Sequence, residues 1–410
     1  MARRRRYCSY LPEEIMFEIL SWLPVKSLVR FKSVCQLWRS IISNNIFIGT
    51  HLANSKNKGA ILNYRSDLTE IAGIADYDYI EVHDTHQDSV KLYHLPPRET
   101  SIIYINSFDG LVCLYNYDAD VIYIWNPATR RFKILPSPNK EFSNVRAFVG
   151  LGFDPICNDY KILRIVFRRL VSSFGQRLLQ AELYSANADS WKEIPISESL
   201  REFHPFSTKI VHAKTGVLYL ESDTELLAFD LHREVFQLYP LPKLCHIVRS
   251  QVLDYEGNVT MIFESADKSV SLYMLDDAMS WTKMFNFEDD LKLIWVGHYL
   301  GNGHFVANTY RTYDHKNREI KLNLLQFPID GMKGPIKYSE SLVSLDGFQE
   351  QELRGAQFDI DLSPRRKEVL DVVEEYVKKK ITGDCGDRDV RAPRMIREYL
   401  YGTCPLTILQ

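Results

Sequence analysis

The stretch IWNPATRRFKILP, residues Ile124 to Pro136, reads as an aromatic strand end, a polar turn and a second aromatic seven residues after the first, Trp125 then Phe132. The same grammar returns in LYSANADSWKEIP (Leu183 to Pro195), AFDLHREVFQLYPLP (Ala228 to Pro242) and YMLDDAMSWTKMF (Tyr273 to Phe285). There Tyr184 and Trp191, Phe229 and Phe236, and Met274 and Trp281 are again seven apart. Trp191, Phe236 and Trp281 follow one another at intervals of 45, Phe132 precedes Trp191 by 59, and a weaker copy, His83 to Val90, lies 42 before Phe132. A period near 45 is that of a four-stranded propeller blade, in which an exposed hairpin turn recurs and the aromatic packs between neighbouring sheets. Hairpins near His83, Trp125, Tyr184, Phe229 and Met274, with a degenerate one around Leu325 to Tyr338, predict about six blades. A two-sheet β-sandwich is the alternative architecture.

Outward from these hairpins, short β-branched and aromatic runs fill the chain from Ala60 to about Gly347, among them Gly110-Leu-Val-Cys-Leu-Tyr115 and Tyr160-Lys-Ile-Leu-Arg-Ile-Val166. Beyond Asp346 the β pattern fades. Ser363-Pro364 opens a helical stripe of Val369, Val372, Val373, Tyr376 and Val377, so a C-terminal helix is expected over 363–381 within an extension at 348–410.

Composition narrows the functional classes. The chain has 410 residues, 45% hydrophobic and 25% charged, with a net charge of −3, which argues against a nucleic-acid footprint. Seven scattered cysteines (8, 35, 113, 157, 245, 385 and 404) form no CxxC pair and read as reduced thiols. No apolar run reaches the length of a membrane span, and no signal-peptide pattern follows the basic cluster Arg3 to Arg6. Neither nucleic acid nor membrane is expected as a partner. The histidines 204, 212, 246, 298, 304 and 315 lack HExxH or Cys-pair spacing, there is no GxSxG or Walker A motif, and the GNG at Gly301 to Gly303 reads as a turn. Asp154, Asp159 and Thr129 read as turn formers. No catalytic residue, metal or cofactor is expected.

At the other end, LPEEIMFEILSWLPVKSLVRFKSVCQLWRSII (Leu11 to Ile42) packs more apolar side chains at helical spacing than thirty residues can enclose. Pro12, with Glu13 and Glu14 in a first turn, starts one helix, Pro24 ends it, and two more short helices follow. Exposed Trp22 beside Leu23 suggests a partner face. The pattern Leu11-Pro12, Ile19-Leu20, Leu23-Pro24-Val25-Lys26-Ser27-Leu28, Arg30-Phe31, Val34-Cys35 and Trp38 resembles an F-box. That resemblance implies binding to a Skp-type adaptor, and through it to cullin and RING subunits. Leu11, Pro12, Ile15, Ile19, Leu20, Leu23, Pro24, Leu28, Val34 and Trp38 are then the adaptor-facing or motif-core residues.

The β region in turn resembles the F-box-associated interaction domain of plant F-box proteins, which is related to kelch propellers. The resemblance is carried by Gly110-Leu-Val-Cys-Leu114, Trp125-Asn-Pro-Ala-Thr-Arg130, Leu135-Pro136, Gly152-Phe-Asp-Pro155 with Asp159-Tyr-Lys161, and Ser190-Trp-Lys192. The whole plan is similar to the pollen S-locus F-box group and to relatives in immune-receptor turnover.

The expected organisation is α and β in separate domains. It comprises a basic tail (1–8), a three-helix F-box (9–48), a polar linker (49–59), an all-β propeller (60–347) and the C-terminal extension. The expected function is a non-catalytic substrate receptor of an SCF-type ubiquitin ligase, cytoplasmic and also nuclear if Arg3 to Arg6 acts in import. A kelch-like oxidase and a plain interaction scaffold are the rivals. Target recognition is expected on loops: Arg65 to Asp78, Glu198 to Pro205, and Arg168 to Arg177, where Arg168, Arg169 and Arg177 surround Phe174.

Overall fold

A computed structural model of the chain describes residues 12–56 and most of 60–361; between those limits the longest stretches outside the description are 66–78, 288–298 and 323–335. The expected basic tail, Leu11, the loop 66–78, Phe174 and the helix expected at 363–381 all lie outside the described residues.

The β region forms six antiparallel sheets laid down in chain order. Sheet one holds β1 (Ala60–Arg65), β2 (Tyr79–Asp84) and β3 (Ser89–His94), and sheet two β4 (Ile102–Phe108), β5 (Leu111–Asn116), β6 (Val121–Asn126) and β7 (Arg131–Ile134). Sheet three holds β8 (Val145–Asp154), β9 (Asp159–Arg169), β10 (Gln176–Ser185) and β11 (Ser190–Ile194). Sheet four holds β12 (Val211–His212), β13 (Val217–Glu221), β14 (Glu225–Asp230) and β15 (Val235–Pro240). Sheet five holds β16 (Ile247–Tyr255), β17 (Asn258–Ser265), β18 (Val270–Leu275) and β19 (Trp281–Asn286). Sheet six holds β20 (Tyr299–Gly301), β21 (His304–Asn308), β22 (Arg311–Asp314) and β23 (Glu319–Leu322).

The strand β24 (Ile336–Tyr338) then returns to pair with β1, so that first and last parts of the region share one sheet. The innermost strands of successive sheets stand side by side, β4 with β8, β8 with β12, β12 with β16, β16 with β20, β20 with β24 and β24 with β4. That closed ring of innermost strands is a six-bladed propeller, not a sandwich of two large sheets. Middle strands are covered on both faces, which is why β5 (LVCLYN) is buried at every position instead of alternating. Apolar clusters join sheet one to two through Val82 and Trp125, four to five through Ala228 and Val252, and five to six through Leu272 and Phe305.

The seven-residue spacing is a register. Trp125 lies directly opposite Phe132, Tyr184 opposite Trp191, Phe229 opposite Phe236 and His83 opposite Val90. Four turn residues separate the strands, and the last of them, Arg130, Asp189 or Glu234, takes the left-handed conformation that closes the turn. Two of the three hairpin tryptophans do a further job. Trp191 Nε1 donates to Pro136 O at 2.7 Å and Trp281 Nε1 to Pro240 O at 2.8 Å, each reaching the proline that ends the previous blade. Two details differ from the sequence reading. Trp281 faces Leu275, not Met274, because that turn has five residues, Asp276 to Ser280. The sixth hairpin is Arg311–Leu322, with Tyr313 opposite Ile320, whereas Ile336–Tyr338 in the expected copy is the closing strand of sheet one.

The propeller also runs past the expected limit at 347. The short strands β25 (Gln349–Glu350) and β26 (Asp359–Asp361) pair with the outer edges β7 and β3.

The N-terminal helices are α1 (Glu13–Ser21), α2 (Val25–Phe31) and α3 (Gln36–Ser43), and the segment read as a polar link contains a fourth, α4 (Asn45–Lys56). This helix is buried from two sides. Phe47 completes the core of Leu20, Val25, Leu28, Ile41 and Ile42, while Leu52 packs into the propeller. His51 Nε2 bonds Leu23 O at 2.9 Å and so pins the α1–α2 joint.

Between sheets four and five, the wholly buried Glu221 accepts hydrogen bonds from Ser250 Oγ and, at 2.9 Å, from Val252 N. Desolvation by burial pushes its carboxyl up to about 7 from 4.5. A carboxyl whose folded value is raised favours the fold while protonated, so this contribution fades as pH rises from about 4.5 through 7. Glu221→Gln should flatten that part of the stability–pH curve and gain on the order of 3 kcal/mol over the parent at pH 8. Denaturant midpoints at pH 5 and pH 8 check it, and parallel curves for the two proteins would refute it.

Candidate functional site

Helix α1 is apolar on two sides. Taking 100° per residue, Ile15, Ile19 and Trp22 centre roughly 140° round the axis from Met16, Phe17 and Leu20. Of the second group, Phe17 and Leu20 pack in the helical core, with Leu20 buried. The first is open, Ile15 at 47%, Ile19 at 52% and Trp22 at 51% exposure. Val34, in the α2–α3 turn, is 61% exposed, and Pro12 and Pro24 are exposed beside it in the sequence pattern. Carboxylates Glu13 and Glu14 in the first turn complement the helix dipole, and the Trp22 indole donates to Glu18 Oε1 at 2.9 Å, which orients the ring.

The expected adaptor residues therefore divide. Pro12, Ile15, Ile19, Pro24 and Val34 present an outer surface; Leu20 and Leu28 are core; Leu23 and Trp38 are half-buried against that core. Leu23 falls beyond the end of α1 and so does not extend its stripe. Val29, 43% exposed on α2, was missed. The sequence pattern alone does not single it out, because Val25, Leu28 and Val29 fall at i, i+3 and i+4 on one face of the helix.

The signature residues of the β region are placed by packing and hydrogen bonds. Asp154 is buried, and its Oδ1 accepts from Ile156 N and Cys157 N, the turn-forming role expected for it. Its other oxygen holds Lys161 Nζ at 2.9 Å, and that ammonium also reaches Leu231 O at 2.7 Å, joining sheet three to sheet four. Burial would raise the Asp154 carboxyl, but Lys161 and the two backbone donors hold it well below the usual carboxylate range. Asp159 accepts from Ser185 Oγ and Asn187 N. Gly152 sits where a Cβ would come within 2.6 Å of Leu231. Asp154, Cys157 and His232 lie close enough to suggest metal ligands. The donor set does not suit a cation, because Lys161 already places its charge on the carboxylate oxygen that His232 Nδ1 approaches at 3.3 Å.

Of the expected target residues, Arg168 and Arg169 end β9 and Arg177 is the second residue of β10, so only 170–175 lies between the two strands. Arg168 stands opposite Arg177 across the hairpin. This hairpin outreaches its neighbour. Arg164 is paired with Asp120 in the β5–β6 turn of sheet two, and β9 continues five residues further, about 16 Å at a strand's rise. Glu198–Glu202, by contrast, is a 3-10 turn with Leu200 buried in the core.

Antiparallel strands alternate direction, so the β5–β6 and β9–β10 turns lie at the end of the propeller opposite the β4–β5 and β6–β7 turns. The helical domain sits on the latter: Lys56 Nζ binds Asp109 Oδ1 at 2.7 Å, and Ala128 packs against the helical core. The apolar stripe and the long hairpin therefore stand at opposite ends of the molecule.

The F-box domain pattern matches residues 8–48, and that of the F-box associated beta propeller domain matches 78–307. The chain belongs to this family of F-box proteins. Relatives in Arabidopsis thaliana include an F-box protein 28% identical over 67% of this chain and 72% of its own, and an F-box/kelch-repeat protein 25% identical over 70% and 82%. Among solved structures, the Dos1 propeller aligns with a TM-score of 0.33 at 12% identity over 64% of this chain and 75% of that one; the blade count here rests on strand pairing. F-box domains bind Skp-type adaptors, and propellers of this family bind protein targets. Among the described residues of this F-box protein, no helix is long and apolar enough to cross a membrane.

At the root of the long hairpin, Arg164 is fully buried between Glu182 Oε2 at 2.9 Å and Asp120 Oδ2 at 2.6 Å. Arg164→Met leaves Glu182 charged in the seam and should cost about 3–5 kcal/mol, whereas Arg164→Met with Glu182→Leu should recover most of it. Thermal or urea unfolding of the two variants measures this, and equal stabilities would contradict it.

Proposed function

We propose that the chain is the substrate receptor of an SCF-type ubiquitin ligase. Its F-box takes a Skp-type adaptor, which brings cullin and RING subunits, and its propeller takes a protein target, marked for proteasomal degradation. The observation that carries the reading is the open stripe of Ile15, Ile19 and Trp22 on a helix whose other side is already buried. Large apolar side chains grouped on a surface fit a partner interface. The chain supplies no reacting group in this reading: ubiquitin transfer is performed elsewhere and directed by proximity.

The long β9–β10 hairpin, with Arg168, Arg169, Phe174 and Arg177, is the proposed target contact. Its support is reach and its place at the end away from the F-box. S-RNase recognition in pollen self-incompatibility and immune-receptor turnover are the target assignments that the family resemblance implies, and identification of a trapped target decides between them. In this reading the place of action is the cytoplasm, and also the nucleus if Arg3 to Arg6 acts in import.

Ile15→Asp with Ile19→Asp alters only exposed positions. It should weaken co-purification with a Skp-type adaptor at least 100-fold while circular dichroism and melting stay those of the parent. Undiminished adaptor binding would overturn the receptor reading. Arg168→Glu with Arg177→Glu should leave the adaptor complex intact and reduce target capture about tenfold.

A further inference from the structure

The WNPATR motif lies in the β6–β7 hairpin, and the hairpin is crossed by the chain that follows the closing strand. Asn126, fully buried, donates through Nδ2 to Ser341 O at 3.0 Å and Val343 O at 2.8 Å, while its Oδ1 accepts from Thr129 N at 3.2 Å. Further along the same hairpin, Lys133 Nζ donates to Asp346 O at 2.8 Å and Arg131 Nη2 to Phe348 O at 3.1 Å. Gln349 and Glu350 then pair with Phe132 and Arg131. From the other side Gly110, in the left-handed conformation, lets the segment press against the β4–β5 turn, where a Cβ would fall 2.5 Å from Ser339 O.

Between these fastenings one side chain points the other way. Leu342, 3% exposed, is part of the F-box core with Leu20, Val25, Leu28, Ile41, Ile42 and Phe47, and Ala128 of the motif packs on the same cluster. Leu342 lies four residues beyond Tyr338, so its reach from the closing strand is at most about 14 Å. The F-box core is thus completed from the far end of the β region, next to the pairing that closes the ring. Helix α4 makes the second attachment through Leu52 and Lys56. The junction also gathers like charges. Burial, and then the guanidinium groups of Arg131 and Arg39, lower the pKa of Lys32, so packing there is held against repulsion.

We infer that residues 336–350 are a latch that fixes the orientation of the F-box on the propeller, with Asn126 and Leu342 as its positioning residues. Ring closure and F-box placement are one event: the strand that seals the propeller delivers Leu342 to the helices, and Asn126 holds the carbonyls on either side of it. The consequence for ubiquitin transfer rests on the receptor reading above, whereas the latch itself does not.

The test is a distance distribution between spin labels on Arg30→Cys and the native exposed Cys157 in the full chain, with the other cysteines except buried Cys113 replaced by serine. Asn126→Asp keeps the shape of the side chain but removes the donor and sets a carboxylate against two carbonyls. It should widen the distribution at least twofold, with adaptor co-purification retained. Leu342→Ala, which opens the F-box core and leaves the Asn126 hydrogen bonds in place, should widen it likewise and serves where Asn126→Asp does not fold. Unchanged widths in Leu342→Ala and in any folded Asn126→Asp protein overturn the latch. Loss of adaptor binding by the parent bears on the receptor reading instead.

Discussion

Three residues, Ile336–Tyr338, paired with Ala60 to Leu62, carry the constraint on which the remainder of the molecule depends. A sheet covered on both faces is stable only if it has a neighbour on each side, and in a row of sheets the first and last lack one. Bringing β24 back to β1 removes both ends at once. Residues flanking this pairing then inherit its position: Tyr338 is buried in the cluster between sheets one and two, and Leu342 in the helical core. The closing contact is small in area and long in sequence separation, so its loss would release clusters far larger than itself.

Apolar stacking alone does not set the angle or height of one blade against the next, because burial is non-directional. Directional groups are found at the seams. Asn106 donates to Val149 O and accepts from Leu151 N between sheets two and three. Arg164 joins Glu182 to Asp120 across the same seam, Lys161 and Asp154 reach sheet four, and Glu221 reaches sheet five. A buried ion pair adds little net stability against an apolar replacement. Its value here is geometric, since each is satisfied in only one alignment of neighbouring sheets.

What the sequence disclosed follows from how strongly each element is written in side-chain pattern. The seven-residue spacing was legible because a four-residue turn forces those two positions to face each other, whatever the tertiary surroundings. The sixth hairpin was illegible because Ile320 stands where the other copies carry an aromatic or Val90, and the short β25 and β26 contain too few residues to show alternation. Helix α4 read as a linker because Asn, Gly, Thr and Lys dilute its apolar residues. It is helical because Phe47 and Leu52 are each claimed by a different core. The split of the F-box residues into outer surface and core had only a partial signal, as Ile19 and Leu20 are equally apolar and adjacent. Which of them meets solvent is decided by where α4 and Leu342 lie.

That last dependence links the two ends of the molecule. If Leu342 and α4 decide which face of α1 is buried, they also decide which face is left for a partner, and they do so from positions tied to the propeller. The open stripe of Ile15, Ile19 and Trp22 is therefore aimed by the β domain. A receptor that works by proximity gains most when its two binding surfaces are held in one relation, because a flexible tether spreads the bound target over a large volume and lowers its effective concentration at the reacting group. A helix packed into both cores, rather than a polar linker between them, is the arrangement that such proximity requires.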